Sequence, residues 1–367
     1  MRAVEIRAWC EPGDLKVSTV PAPACGPGEV QIAMRAAPVT FALSLLVAGR
    51  YQRRPAFPFV PGNTVAGEIV EVGADAGRGL APGQRVLASM EQGGLAEEAV
   101  AHAANVYPIP DGMDFAEACA LNTSYNSVLA GLTWPRLLDL RAGQTLMVTG
   151  AAGGVGIAAV EMATALGARV VAAASSEAKR AFAAGRGAFA TVPSDPAGLR
   201  DAVFSATNGE GVDAVIDPVG GEVFPQALRC LKPEGRILPI GFASGTIPQV
   251  PANLLLVKNV SVVGLYMGYY KIDQRERFEP QVRAIFGRLG EMHAAGAIRP
   301  PVAGRYPLER VAEAFAKVLD RDTIGHVVVT AGEVSRAGLP PYSASATVTF
   351  RKSPWIISSS MPAFAAV

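Results

Sequence analysis

The sequence predicts an α/β protein: a doubly wound parallel sheet joined to a smaller β-rich region. Two observations predict the sheet. A glycine-dense turn separates an apolar strand from a helix within residues 145–176, and strand-then-turn units recur at 212–245. A third predicts the β-rich part. Over residues 1–110 short β-rich runs alternate with Pro/Gly turns, a spacing that favours a small antiparallel barrel or sandwich over βαβ repeats.

The stretch from Thr145 to Ser176 reads TLMVTGAAGGVGIAAVEMATALGARVVAAASS. Leu146-Met147-Val148-Thr149 is apolar and partly β-branched, as a buried strand requires. Gly150 to Gly156 forms the turn. From Val155 to Leu166 the residues Ile157, Val160, Met162, Ala163 and Leu166 recur at helical spacing, and Gly167 is placed to stop the helix. Arg169 to Ala174 supplies the second strand. Ala151-x-Gly153-x-x-Gly156 then fits the dinucleotide fingerprint with alanine at its first position, in the strand-turn-helix-strand context the motif demands. Without a side chain, Gly153 lets the backbone approach a pyrophosphate and Gly156 lets the helix lie close on the strand. The helix N-terminus offers free N–H groups and a positive dipole end to the phosphates.

The end of the second strand selects the cofactor. NAD-binding units carry an acid there for the ribose 2′-OH. This chain has Ala174-Ser175-Ser176 instead, followed by Lys179 and Arg180. Missing acid removes repulsion against a 2′-phosphate, while hydroxyls and cations bind it. NADPH is predicted over NADH.

Composition bounds the remaining possibilities. With 367 residues there is room for two domains, and with 50% hydrophobic and 18% charged residues a large core is available. A net charge of +1 gives no electrostatic case for nucleic acid or an anionic membrane. Cys10, Cys25, Cys119 and Cys230 stand apart, with no C-x-x-C, and read as reduced thiols of a cytoplasmic protein. Glu5 and Arg7 stand where a secretory signal would need an apolar core, and no apolar run is long enough to span a bilayer.

In chain order, Glu29 to Met34 and Thr64 to Val72 are predicted strands separated by turns such as Gly26-Pro27-Gly28 and Pro82-Gly83. Asp114 to Leu132 reads as helical. After Ser176, Val212 to Asp217 is a strand followed by Pro218-Val219-Gly220-Gly221. Gly235 to Ile240 is another, ending in Gly241-Phe242-Ala243-Ser244-Gly245. Ligands of open parallel sheets bind beyond such carboxyl ends. Val260 to Gly264 reads as a last strand of that sheet. Gln281 to Ala295 and Glu309 to Leu319 read as amphipathic helices, and His326 to Thr330 as a closing strand. Residues 332–367 are Ser-, Ala- and Pro-rich without a useful period and read as a disordered tail.

Gly49-Arg50-Tyr51, Val60-Pro61-Gly62, the turn from Gly150 to Gly156, Asp217 to Gly221, Gly241 to Gly245 and Pro251-Ala252-Asn253 follow one another in order. In these motifs the chain resembles the zeta-crystallin-like quinone oxidoreductases, zinc-independent members of the medium-chain dehydrogenase/reductase superfamily. The resemblance spans residues 1 to about 330. It implies a Rossmann domain over 123–264 and a GroES-like β-rich catalytic domain over 1–122, resumed by 265–331, with the active site in the cleft between them. It also implies a homodimer. Cofactor contacts are carried onto Ser127, Ala151, Gly153, Gly154, Val155, Gly156, Ser175, Lys179, Ser194, Gly220, Gly241, Phe242, Ala243 and Asn253. Tyr51 and, second to it, Thr40 are the catalytic candidates.

Departures from the pattern are informative. The zinc-dependent branch carries a Cys near the present Val39-Thr40 and a His-Glu pair at Asn63-Thr64, so no catalytic zinc is expected. Met90 to Gly94 lacks the cysteines of a structural zinc loop. Relatives show Asn-Phe-Pro-Asp where this chain has Thr40-Phe41-Ala42-Leu43, and glycine at Pro38. A tyrosine at the 2′-phosphate pocket corresponds to Ser194, and a lysine before the last strand to His326. The implied reaction is hydride transfer from NADPH to a quinone or similar conjugated carbonyl. Two alternatives stay open: an enoyl-thioester or alkenal reductase, and an NADPH-binding protein of structural or regulatory role.

Overall fold

The structure, a computed structural model, describes residues 1–331; the expected tail at 332–367 lies outside them. Strands β1 (Arg2–Val4) and β2 (Val17–Thr19) form a small antiparallel pair. The long β3 (Glu29–Val39) leads into α1 (Phe41–Val47), and β4 (Thr64–Val72), β5 (Arg85–Ser89), β6 (Glu98–His102) and β7 (Val106–Pro108) follow. Strand β3 pairs antiparallel with both β4 and β6, and β5 joins β4 to β7. Predicted bounds for β4 agree; β3 runs five residues past its predicted end because its later residues, Ala36, Ala37 and Val39, are buried.

Next come α2 (Phe115–Ala120), started by a capping box between Asp114 and Glu117, and α3 (Asn126–Thr133). The single helix predicted over 114–132 is interrupted between them by a π-helical turn, Leu121–Tyr125. Its widened turn buries Asn122, Ser124 and Tyr125. Apolar spacing does not register such an insertion, because the polar groups it turns inward are satisfied by distant partners.

The parallel sheet is built from β8 (Thr145–Val148), α4 (Gly154–Ala165), β9 (Arg169–Ala174), α5 (Glu177–Ala184), β10 (Ala190–Pro193), α6 (Pro196–Ala206), β11 (Val212–Asp217), α7 (Val223–Arg229), β12 (Leu231–Pro239), α8 (Ala252–Lys258) and β13 (Ser261–Val262). Its order is β10-β9-β8-β11-β12-β13, with every pair parallel. Strand order therefore reverses at β8 and β11, the switch point where open α/β sheets bind ligands. All four residues of β8 are buried, and α4 buries Gly156 to Ala163, mostly apolar, between the sheet and the neighbouring helices, with Glu161 the one charged residue among them.

A second π-helical turn, Tyr269–Asp273, precedes α9 (Arg275–Ala294), then β14 (Val302–Pro307), α10 (Val311–Leu319) and β15 (His326–Thr330). Helix α9 begins six residues before its predicted start, in a polar stretch without apolar period, and Pro280 lies inside it. Strand β15 pairs antiparallel with β3 and parallel with β14. The chain thus returns to the first sheet, whose order is β14-β15-β3-β4-β5-β7 with β6 also on β3.

Candidate cofactor and substrate site

The turn after β8 shows what its glycines do. Gly150 has φ +55°, a conformation that suits glycine. A Cβ on Gly156 would lie 2.1 Å from the Gly150 carbonyl oxygen, so only glycine lets α4 sit this close to the strand. Gly153 differs: its nearest neighbour would be 3.5 Å away, and the residue is exposed. Nothing in the chain requires glycine there, which leaves the space above it for a ligand. Gly153 caps α4 without a side-chain bond, and the N–H groups of Gly154, Val155 and Gly156 have no partner among the described residues. Ala151 is buried beneath them.

Gly154 has a different reason. A Cβ there would lie 2.7 Å from Nε2 of His326. This imidazole is buried, with Nδ1 3.3 Å from the Pro301 carbonyl and Nε2 3.0 Å from the Ser124 hydroxyl. A carbonyl only accepts, so Nδ1 carries the proton and Nε2 accepts from Ser124. Burial lowers the pKa of His326 to about 4. It stays neutral and braces the turn from below, where a lysine would bring charge.

Asp217, at the end of β11, is fully buried and ties the switch point together. Its carboxylate accepts from the Thr149 hydroxyl and from the N–H groups of Val219 (3.0 Å) and Gly220. Burial is the largest influence and raises its pKa, against the opposing effect of those donors. The loop after β12 closes on the same turn, Ala243 N–H donating to the Pro218 carbonyl at 3.0 Å and Ser244 N–H to that of Val219. Gly220, Gly241, Phe242 and Ala243 are brought together in this way. Asn253 is exposed at the start of α8, and Ser127 lies half-buried on α3 with its N–H on the Asn126 side-chain oxygen.

Beyond β9 the serines divide their work. Ser176 caps α5, accepting from the Lys179 N–H, while Lys179 Nζ lies 3.4 Å from the Ser175 hydroxyl. Pro193 pairs with Ala174, which sets Ser194 beside Ser175 at the strand ends. Arg180 is turned away, onto the Ala174 carbonyl (3.2 Å) and the Glu177 carboxylate (2.7 Å). Lys179 also donates to the backbone carbonyl of Arg321, so the loop before β15 closes on this corner. Sequence reasoning missed Arg321: 142 residues separate it from Lys179, and no motif marks it.

On the catalytic side, Thr40 caps α1 by accepting from the Leu43 N–H at 3.1 Å. Gly49, at φ +68° and packed on Trp9, ends that helix and redirects the chain to Tyr51. Tyr51 is half-buried, its hydroxyl without a hydrogen bond among the described residues. Burial raises its pKa while nearby Arg53 opposes the rise. Arg53 pairs with Asp273 and Glu91 and lies over the Tyr266 ring, 5.1 Å from its centroid. The surface depressions between Glu5 and Ser18 and between Tyr306 and Asp320 share no residue with the glycine turn.

Two family models match: an alcohol dehydrogenase GroES-like domain over residues 26–111 and a zinc-binding dehydrogenase domain over 154–286. A quinone oxidoreductase-like protein 2 homolog of Nematostella vectensis is 39% identical over 308 residues, covering 83% of this chain and 82% of the relative. The chain belongs to the zeta-crystallin-like quinone oxidoreductase family. Solved structures agree. A mycobacterial protein complexed with NADPH aligns with a TM-score of 0.82 and 29% identity, over 90% of this chain and 100% of that one. The quinone oxidoreductase of Thermus thermophilus, also solved with NADPH, gives 0.76 and 30% over the same shares. The sheet order and GroES-like region described above are thus those of the medium-chain dehydrogenase/reductase superfamily. No helix among the described residues is long and apolar enough to cross a membrane.

Proposed function

We propose that this protein is an NADPH-dependent oxidoreductase that reduces quinones or similar conjugated carbonyls without zinc. One observation carries the reading. The N-terminus of α4, capped without a side chain, and the pair Lys179–Ser175 lie at the two ends of one β-turn-α-β unit, one suited to a pyrophosphate and the other to a 2′-phosphate. The residues fit the cofactor, since the space above Gly153 is open and no acid ends β9. Bound NADPH supplies the hydride. The chain's own residues hold the phosphates, fix the turn through Asp217 and His326, and present the Tyr51 hydroxyl to the acceptor's oxygen as charge develops there. The division into a cofactor domain at 123–264 and a catalytic domain around it belongs to the same proposal.

Independence from zinc rests on Val39-Thr40 and Asn63-Thr64 at the positions where the zinc branch places its ligands. Among the described residues no three His, Cys, Asp or Glu side chains cluster to hold a metal. Steady-state NADPH oxidation with a panel of quinones, 2-alkenals and enoyl thioesters tests the function. Turnover of a quinone, unchanged after dialysis against a chelator, is the expected result. Turnover of the alkenals or the thioesters but of no quinone selects the enoyl-thioester or alkenal reductase alternative, and none with any acceptor leaves the binding-protein alternative. Activity lost to the chelator and restored by zinc overturns the metal-free reading.

The proposed homodimer has a face to form on. Strand β13 is an outer strand of the parallel sheet, and beside it α8 exposes Leu256 (78%) and Val257 (72%). An open edge flanked by apolar side chains suits a second copy of the same chain. Leu256→Asp is expected to yield a monomer by light scattering while retaining NADPH binding. A variant of unchanged mass would exclude this face.

A further inference from the structure

Lys271 is buried, and among the described residues no carboxylate pairs with it. Its one hydrogen bond runs 2.8 Å to Oδ1 of Asn122. Each of the two residues sits in one of the π-helical turns, Tyr269–Asp273 and Leu121–Tyr125. Turns of this kind concentrate at functional sites. From Asn122 the bonds continue. Its Nδ2 lies 2.6 Å from the Thr64 hydroxyl, which lies 3.1 Å from Oδ1 of Asn63.

The direction of this chain is forced. An ammonium only donates, so Asn122 accepts through Oδ1, as it also does from Asn126, and donates through Nδ2. Thr64, having accepted, turns its proton to Asn63. Asn63 is exposed, and its Nδ2 has no partner among the described residues. Its backbone carbonyl accepts from Met90 N–H, the neighbouring Glu91 pairs with Arg53, and Arg53 is two residues from Tyr51. Asn63 is thus linked through Met90, Glu91 and Arg53 to the segment that carries Tyr51.

We propose that Asn63 Nδ2 is a hydrogen-bond donor to the carbonyl oxygen of the acceptor, and that Lys271 is its positioning residue, orienting and polarising that amide through Asn122 and Thr64. This rests on the carbonyl reduction proposed above. Successive donors polarise one another, so a positive charge at the buried end strengthens the donor at the open end. Asn63 keeps its protons; the reduced oxygen takes one from water. Burial lowers Lys271 to about 7, so the chain is charged below that pH and loses its charge above it. Around Lys271, Asn122 and Thr64 are neutral, Asp273 is paired with Arg53, and Arg136 bonds the hydroxyl of Tyr270. His326, at about 4, and Tyr51, raised, do not titrate near 7.

The test uses 1,4-naphthoquinone and trans-2-hexenal with wild type, Asn63→Ala, Lys271→Met, Thr64→Val and the double variant of Asn63 and Lys271. Each single change should lower kcat about 10- to 100-fold, toward the range set by loss of one such donor, with the dissociation constant for NADPH unchanged. The double variant should lose no more than the worse single. Wild-type kcat should fall as pH rises through about 7, and Lys271→Met should abolish that limb. Without turnover, the Asn63 side-chain amide resonance should titrate with the same midpoint in wild type but not in Lys271→Met or Thr64→Val. An absent titration, multiplied losses in the double variant, or intact kcat in Asn63→Ala overturns the chain. A wild type that shows the titration yet reduces neither acceptor overturns the functional reading alone.

Discussion

Tyr51→Phe should lower kcat on the order of 100-fold while leaving NADPH affinity unchanged, the cost of removing one donor from a site where negative charge develops. The backbone explains why this tyrosine is available. Gly49 ends α1 in a left-handed conformation, and the chain leaves the helix toward Tyr51 with Trp9 packed against the turn. The phenol is half-buried, so desolvation favours its neutral, proton-bearing form and raises its pKa. A donor is what the reaction needs, and this one stays a donor throughout the neutral range. The loss in Tyr51→Phe should therefore be the same at pH 6 and pH 9. An unchanged kcat would assign Tyr51 to packing, and a loss that grows or shrinks across pH 7 would point to another group.

Thr40, the weaker candidate, has a separate duty. Its oxygen accepts the Leu43 N–H, so replacing it removes a helix cap along with any contact to substrate. Such caps are worth about 1 kcal/mol. A Thr40→Val loss must be read against the thermal midpoint before it counts as catalytic.

The parts of the fold legible in the sequence are those fixed by local chemistry. Strands at 64–72, 169–174, 212–217 and 326–330 have their predicted bounds, because alternation or apolar runs end at glycine, proline or serine within a residue. The glycine turn was legible for the same reason, and Gly156 meets the Gly150 oxygen as its place in the motif requires. What sequence could not give are contacts whose two halves lie far apart. Asp217 and Thr149 are separated by 68 residues, Lys179 and Arg321 by 142, Lys271 and Asn122 by 149. Nothing in the spacing around Tyr270 and Ile272 marks Lys271 as buried; it lies in the π-helical turn Tyr269–Asp273, facing Asn122. His326 was legible as a departure from a lysine, but not as a neutral brace under Gly154.

Lys179→Ala should weaken NADPH roughly ten- to a hundredfold and leave NADH almost untouched. The 2′-phosphate brings close to two negative charges and several acceptor oxygens to the end of β9. Lys179 Nζ stands beside the Ser175 hydroxyl there, held by the Arg321 carbonyl, so part of its freedom is already spent before the cofactor arrives. A hydrogen bond to a charged group contributes about 1.5–3 kcal/mol, and each tenfold in affinity is about 1.4 kcal/mol. Arg180 does not stand in for the missing ammonium, because its guanidinium is engaged by the Ala174 carbonyl and Glu177. Ser194, one residue beyond the Pro193–Ala174 pair, is expected to narrow the preference for NADPH without reversing it. Dissociation constants for both cofactors, taken from quenching of tryptophan fluorescence in wild type and in Lys179→Ala, decide the matter. Equal wild-type affinity for the two cofactors would sink the assignment of NADPH, and an equal loss for both in the variant would move Lys179 from the phosphate to the scaffold.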